Sequence, residues 1–478
     1  MEPMGRRGGL TLRRYDVLLL VGFFLAGILT RVPFRSRMLY HWDSVNFALG
    51  IERFDIRMHQ PHPPGYFLYV MLGRAVNAVI HDPNASLVWL SVVFSGLTAA
   101  SLFLLGKRMF SRLEGAIAAL ALLTSPLFWF HGEVALMYVI EAFFTTIIAL
   151  LSIELLAGRR RCLYLSAVVL GVVGGIRQST LLFIFPLWLF SIRRFSLKQI
   201  ALAFLLLALV VGAWLVPMVS LTGGVHRYLA LNRSTDVVGE SSLIDPTQIL
   251  VNTARVGAYA FYGLLLGGIP LAYALLRGLN ALSALVRDER VQVIALWVIP
   301  SLLFLLFVHI RQAGHLFVFL PALFLLVGVG MVKMSRAFAL RSRTLLIVGV
   351  ALLVMTNGLF FFAAPPYLLG RERTVLHTPS LRSIRAQDRY LSEAIDYIGH
   401  HFPPERTIIL SGGFSFRQPD YYLPEYTIVR YTDEALDAVD RSHAVVLFGQ
   451  MEVEGLEGAE TVLLPGGDSL TYIPAAAG

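Results

Sequence analysis

Apolar residues in this chain gather into long runs instead of alternating with polar ones. Eleven runs are suited to cross a bilayer as helices: residues 17–33, 87–105, 115–130, 134–156, 163–176, 180–192, 199–219, 253–276, 291–310, 316–332 and 344–362. The pair 163–176 and 180–192 is unusually short and turns at Arg177-Gln178-Ser179. Basic residues flank it on one side (Arg159 to Arg161, Arg193 and Arg194), so it is expected to form a hairpin with its tip on the other side. Short, interrupted apolar segments often mark binding sites in membrane proteins. Beyond residue 362 the pattern changes. Helical periodicity runs from about Ser383 to His400, strand-like runs follow at Thr407–Leu410 and Ala444–Phe448, and Gly412-Gly413 and Gly466-Gly467 signal turns. This predicts a small α/β domain over 363–478.

Composition agrees with the pattern: 56% of the 478 residues are hydrophobic and 15% are charged, far from the balance of a soluble domain. The net charge of +9 divides into +16 over residues 1–362 and −7 over 363–478. The basic body is explained by topology and calls for no nucleic-acid partner. With the N-terminus in the cytoplasm, segments 106–114, 157–162, 193–198, 277–290 and 333–343 also lie inside. Together with Arg6, Arg7, Arg13 and Arg14 they hold 20 of the body's 31 basic residues. The first run is then a retained anchor, and the tail lies outside. Residues 64–80 are fairly apolar, but Arg74 and Asn77 would sit within a short span, so a helix in the outer interface is expected there, inside one long outer loop over 34–86. The single cysteine, Cys162, excludes an internal disulfide and a Cys-built metal site. The expected fold is thus a polytopic α-helical membrane protein of about eleven transmembrane helices, with a small extracytoplasmic α/β domain at its C-terminus.

Ionisable groups near the outer ends of spans are candidates for function. The first loop carries His41-Trp42-Asp43-Ser44, Glu52, Asp55 and His59 through Tyr66. The next outer turn carries His131-Gly132-Glu133, with Tyr138 and Glu141 following. Arg177 sits at the hairpin tip, and Arg311, Gln312 and His315 precede a later span. His226, Arg227, Asn232, Arg233 and Asp236 lie in the wide loop 220–252.

The order of these features resembles the GT-C superfamily of membrane glycosyltransferases, which use polyprenyl-phosphate sugars. An acid in a long first outer loop is followed by His62-Pro63-Pro64-Gly65-Tyr66-Phe67-Leu68-Tyr69. Then come Gly106-Lys107-Arg108-Met109-Phe110, Ser125-Pro126-Leu127-Phe128-Trp129 and Gly132-Glu133-Val134-Ala135. The run is similar to the protein O-mannosyltransferase branch, to the lipid A aminoarabinose transferases and to bacterial relatives with an HPPGYP-type signature. The segment from Arg311 through Leu316-Phe317-Val318-Phe319-Leu320-Pro321 resembles their later arginine-plus-proline helix start, and the tail resembles their extracytoplasmic domain. One departure is clear: those families often place Asp-Glu or Asp-x-x-Glu in the first loop, whereas here Ser44, Val45 and Asn46 follow Asp43.

The resemblance implies transfer of a sugar from a polyprenyl-phosphate donor to an acceptor on the external face of a bacterial inner membrane. The chemistry itself needs little. A lipid phosphate is already a good leaving group, so the minimum is one base for the acceptor's proton and cations for the departing phosphate. Asp43 is the expected base, acting with inversion, and Glu133 its helper for acceptor or metal. Arg177, Arg311 and His315 are the expected phosphate holders, and His62, Tyr66 and Glu141 line the cavity. Partners are the lipid-linked donor, membrane lipid and an unidentified acceptor. The sequence names no certain cofactor, and a divalent metal stays open through His41, His59 and His62 with Asp55. Plainer alternatives stand beside these roles: Asp43 or Glu133 as helix caps, Arg177 as the closure of the hairpin tip, Pro63-Pro64 as a helix start. At the level of the whole protein the alternatives are a lipid-sugar flippase or a non-catalytic membrane scaffold.

Overall fold

The computed structural model describes residues 12–234, 245–279, 288–337, 342–366, 378–440, 442–449 and 458–475. The body begins with α1 (Arg14–Arg31), α2 (Trp42–Glu52), α3 (Phe67–Ile80), α4 (Pro83–Met109), α5 (Arg112–Thr124) and α6 (Pro126–His131). It continues through α7 (Tyr138–Leu156), α8 (Arg160–Ile176), α9 (Gln178–Ile192), α10 (Leu197–Thr222), α11 (Val225–Ser234), α12 (Pro246–Leu264) and α13 (Gly268–Leu279). It ends with α14 (Glu289–Phe307), α15 (Leu320–Ala337) and α16 (Ser342–Ala363).

Seven segments among the described residues are long and apolar enough to cross a bilayer: Pro83–Met109, Tyr138–Leu156, Leu197–Thr222, Pro246–Arg277, Glu289–Phe307, Leu320–Ala337 and Arg343–Ala363. The remaining four of the eleven expected runs differ for local reasons. α1 carries Arg14, Asp16 and Arg31 within its 18 residues. The run 115–130 breaks at Ser125-Pro126, where the Ser125 hydroxyl donates to Gly263 O at 2.7 Å. The hairpin helices α8 and α9 have only 17 and 15 residues. α3 is a 14-residue helix, and Arg74 on it donates to the carbonyls of Ile51 and Gly50 at the end of α2, at 2.8 and 3.0 Å.

α4 and α7 lie at the centre of the bundle, whereas α10 and α16 present Leu205, Leu209, Val216, Leu352, Met355 and Leu359 outward. Apolar side chains exposed in this number form a lipid-facing surface. α1 seats on α4 through Gly27 and Gly96: a Cβ on Gly27 would come within 2.4 Å of Gly96 Cα, so only glycine allows this approach.

Ion pairs gather at one end of the bundle. Asp16 meets Lys107 and Arg112, each at 2.7 Å; Glu154 meets Arg108 at 2.6 Å and Arg159 at 2.7 Å. Glu289 meets Arg193 at 3.0 Å and Arg194 at 2.5 Å. Five segments whose basic residues predict a common side of the membrane are thus drawn together. The opposite end holds the first loop, the turn 132–137, Arg177, residues 308–319 and the tail.

The tail is built on α17 (Leu381–His401) and a five-stranded sheet, with two further short helices, α18 (Pro419–Tyr422) and α19 (Asp433–Ala438). The strands are β1 (Thr407–Ser411), β2 (Thr427–Arg430), β3 (Ala444–Phe448), β4 (Glu460–Leu463) and β5 (Ser469–Ile473), in the order β2-β1-β3-β5-β4. β1 runs parallel to β2 and β3, and β5 antiparallel to β3 and β4. Tyr390, Leu391, Ala394 and Ile398 of α17 cover one face of the sheet against Ile409, Val446 and Phe448. Leu410, Val445, Leu447 and Ile473 meet Leu436 of α19 on the other.

Candidate active site

Asp43 lies in the first turn of α2 but does not cap it. His41 does: its Nδ1 accepts the Asp43 backbone N–H at 3.0 Å, which leaves the Asp43 carboxylate free of the helix end. That carboxylate is 7% exposed and its two oxygens face different partners. Gln312 Nε2 donates to Oδ2 at 2.9 Å. His62 Nδ1 lies 3.4 Å from Oδ1, outside hydrogen-bond geometry. Burial opposes ionisation here, but His62, His41, the Gln312 amide and Arg177 outweigh it and hold Asp43 below the ordinary carboxylate value. Burial pushes His62 below its usual range, with Asp43 opposing and Arg177 adding to it.

Arg177 ends α8 and starts the short return to α9. Its Nη1 donates to Glu141 Oε2 at 3.0 Å, and the Thr180 hydroxyl donates to Glu141 Oε1. Burial acts against the guanidinium, yet Glu141, Tyr66 and Tyr138 hold its pKa above the usual arginine value. Its Cζ lies 5.6 Å from the centre of the Tyr138 ring, and the Tyr138 hydroxyl donates to Gln312 Oε1 at 2.8 Å. One connected path therefore runs from Glu141 through Arg177, Tyr138 and Gln312 to Asp43. Tyr66 precedes α3 with φ of 42°, a conformation rare outside glycine, and packs on Phe47 and His62. Its hydroxyl is pushed up to about 12 by burial, with Arg177 opposing. His315 joins the same group: its ring is 6.0 Å from Tyr138 and 5.9 Å from His309, and burial, then Arg177, keep it well below the usual histidine value.

Two expected members stand elsewhere. Glu133 is fully buried beside Arg31, Trp129 and Arg385, and neither carboxylate oxygen has a hydrogen-bond partner. Burial raises its pKa well above the ordinary value against the pull of Arg31. No contact joins it to Asp43, because the turn 132–137 directs it toward α1. Arg311 is exposed, and it borders a pocket of about 160 Å³ that Gln312 and His41 also line. Of the residues considered for a metal, Asp55 is paired by Arg57, with Nε 2.7 Å from Oδ1, and His41 Nδ1 is used by the Asp43 N–H. In the wide loop, His226, Arg227, Asn232 and Arg233 fall on α11, whose Tyr228 hydroxyl donates to Pro64 O at 3.1 Å. Asp236 lies outside the described residues.

The tail contributes groups that have no local signature in the sequence. Asp388 accepts from Ser36 Oγ, Met38 N and Arg37 N at 2.7, 3.0 and 2.9 Å. Leu39 N donates to the Tyr422 hydroxyl at 2.8 Å, and Gln418 Nε2 donates to Leu39 O at 3.1 Å. Arg417 reaches Asn46 Oδ1 at 2.9 Å. Phe414 packs edge-on to Tyr40, His41 and Trp42, with ring centres 5.4–5.6 Å apart. The strand-end loop after β1 is thus laid against the residues that carry Asp43. Gln312 and Thr180 were also visible in the sequence without a role; their place beside Arg311 and Arg177 was the only hint.

Residues 54–200 match the family model of the protein O-mannosyl-transferase TMEM260 N-terminal domain. No curated protein matches the chain. Among solved structures, ArnT from Cupriavidus metallidurans bound to undecaprenyl phosphate superposes with a TM-score of 0.58 at 12% identity, covering 96% of this chain and 97% of ArnT. AglB, the archaeal oligosaccharyltransferase from Archaeoglobus fulgidus in complex with an inhibitory peptide and a dolichol-phosphate, gives 0.51 at 11% identity over 91% of this chain and 69% of AglB. The arabinofuranosyltransferase AftD from Mycobacteria gives 0.52 at 14% identity over 98% of this chain and 40% of AftD. Superposed along 96–98% of its length on ArnT and AftD, this chain has the fold of the GT-C membrane glycosyltransferases.

Proposed function

We propose that this chain transfers a sugar from a polyprenyl-phosphate carrier to an acceptor hydroxyl, with Asp43 as the base. The observation that carries the reading is a buried carboxylate held ionised between Gln312 and His62, with Arg177 anchored nearby by Glu141. In the step, the acceptor oxygen attacks the anomeric carbon while the carbon–oxygen bond to phosphate breaks. The lipid phosphate departs with the electron pair, the acceptor proton passes to Asp43, and the anomeric centre inverts. No acid is needed for so good a leaving group; a cation beside it suffices. Arg177 is the proposed cation and His315 a neutral hydrogen-bond partner, with His62, Tyr66 and Glu141 bounding the cavity. Arg311 serves at the rim. Glu133, set against Arg31, has a supporting role in the turn. We place the N-terminus in the cytoplasm of a bacterium and the site, with the tail domain 363–478, on the external face of its inner membrane. The basic residues gathered at the far end of the bundle support that orientation.

The test is Asp43→Asn, assayed for transfer from a radiolabelled polyprenyl-phosphate sugar with the fold checked by thermal unfolding. Loss of a positioned base is expected to lower turnover by about 10²–10⁴-fold. Undiminished turnover in a folded variant would remove Asp43 from the mechanism.

A further inference from the structure

Beside Asp43 lies the pocket of about 160 Å³ already noted, and its walls are largely aromatic: Tyr40, Trp42, Phe130 and Tyr259 from the body and Phe414 from the tail. Two other lining residues, His41 and Gln312, are the ones that hold Asp43. Gln312 Nε2 donates to Asp43 Oδ2 and His41 Nδ1 accepts the Asp43 N–H, so Asp43 stands directly behind the wall that these two residues make. Tyr40, Phe130 and Tyr259 are buried and braced, Tyr40 standing edge-on to Phe130 at 5.1 Å and to Phe414 at 5.5 Å. Trp42 and Phe414 are only half-buried. No carboxylate lines the space, and its volume suits a single ring, well below that of a drug-sized site.

We propose that this pocket binds a pyranose ring of a glycan acceptor, with the tail's Phe414 as a specificity-determining wall; the proposal rests on the glycosyl-transfer reading above. Sugars present an apolar C–H face that packs on aromatic rings and a rim of hydroxyls that needs polar partners. This pocket supplies the rings on its walls and the amide and imidazole at its Asp43 side. An acceptor hydroxyl at that side would rest on the Gln312 and His41 wall, with the proposed base Asp43 immediately behind it. The tail would then select the acceptor, while the donor site around Arg177 stays within the body.

The experiment uses the full chain in lipid nanodiscs free of sugar detergents. Saturation-transfer NMR is recorded with methyl β-D-glucopyranoside and, separately, with N-acetyl-phenylalanine amide, on the parent protein, Phe414→Ala and Phe414→Trp. The proposal expects glucoside signal in the parent, a loss of fivefold or more in Phe414→Ala, and recovery in Phe414→Trp. Absence of glucoside binding to the parent, an unchanged signal in Phe414→Ala, or preference for the phenylalanine amide would overturn it. Consumption of a labelled polyprenyl-phosphate sugar by water is followed in the same samples. If the parent leaves the donor intact, the transfer reading fails independently of the pocket. If Phe414→Ala consumes donor normally while losing the glucoside, the pocket's role is separate from donor binding, as proposed.

Discussion

Replacing Asp388 by alanine should loosen the first loop from the tail without unfolding either. The carboxylate is buried and satisfies three donors at once: the Ser36 hydroxyl and the Arg37 and Met38 amides. A hydrogen bond to a charged group contributes about 1.5–3 kcal/mol, and a buried donor left unsatisfied costs about 1–3 kcal/mol. Burial offsets part of this, since it pushes Asp388 above the ordinary carboxylate value despite those three bonds. A net loss of about 2–4 kcal/mol in docking is therefore expected. Asparagine should recover only part of it, because its oxygen can replace Oδ1 while its amide would oppose the Arg37 N–H. The loop continues through Leu39, which Tyr422 and Gln418 hold, to the His41 cap of α2, so the loosening should reach Asp43. Hydrogen exchange of the intact protein in nanodiscs reads this directly. Amides 36–43 should exchange at least tenfold faster in Asp388→Ala, with α4 and α7 unchanged, and transfer should slow. Unchanged exchange over 36–43 would refute the claim that Asp388 holds this loop.

Two other outcomes follow from the site. Asp43 is held below the ordinary carboxylate value by His62, His41, Gln312 and Arg177 against burial, and burial holds His62 below the ordinary histidine value, so neither takes up a proton near neutral pH. Because a depressed carboxylate keeps its charge until pH falls through its lowered value, the acid limb of the turnover profile should lie on the acid side of the ordinary histidine range in the parent; a limb centred within or above that range would contradict the assignment. The Glu141–Arg177 pair is buried, so Arg177→Met alone should cost about 3–5 kcal/mol in unfolding free energy by stranding Glu141. The double variant Glu141→Leu/Arg177→Met should recover a large part of that stability while staying inactive; additive losses in a double-mutant cycle would show that the pair is not coupled.

Local patterning carried much of this protein. Apolar runs announced the long helices, and basic segments announced the end where Asp16, Glu154 and Glu289 find their partners. The tail helix and two of its strands followed from periodicity, at Leu381–His401, Thr407–Ser411 and Ala444–Phe448. These features are readable because each depends on neighbours within a few residues. Breaks inside apolar runs were harder. Ser125-Pro126 divides α5 from α6, and Leu265 divides α12 from α13, yet hydropathy averages across both.

The site was legible in its residue types and only partly in its grouping. Asp43, His62, Tyr66, Glu141, Arg177 and His315 come together because α2, α3, α7, α8 and the turn 313–318 end on the same face. Glu133 stands only eight residues before Glu141 and two after His131, yet the turn that follows sends it to Arg31. Gln312 gained its role from a partner 269 positions away, and Asp388 from one 352 positions away. Sequence by itself determined that this chain enters a membrane, which end gathers positive charge, and which side chains can do acid–base or phosphate chemistry, since those depend on side-chain type and local spacing. Only the tertiary structure decided which of them meet, because burial and pairing are set by contacts between distant segments that no local pattern records.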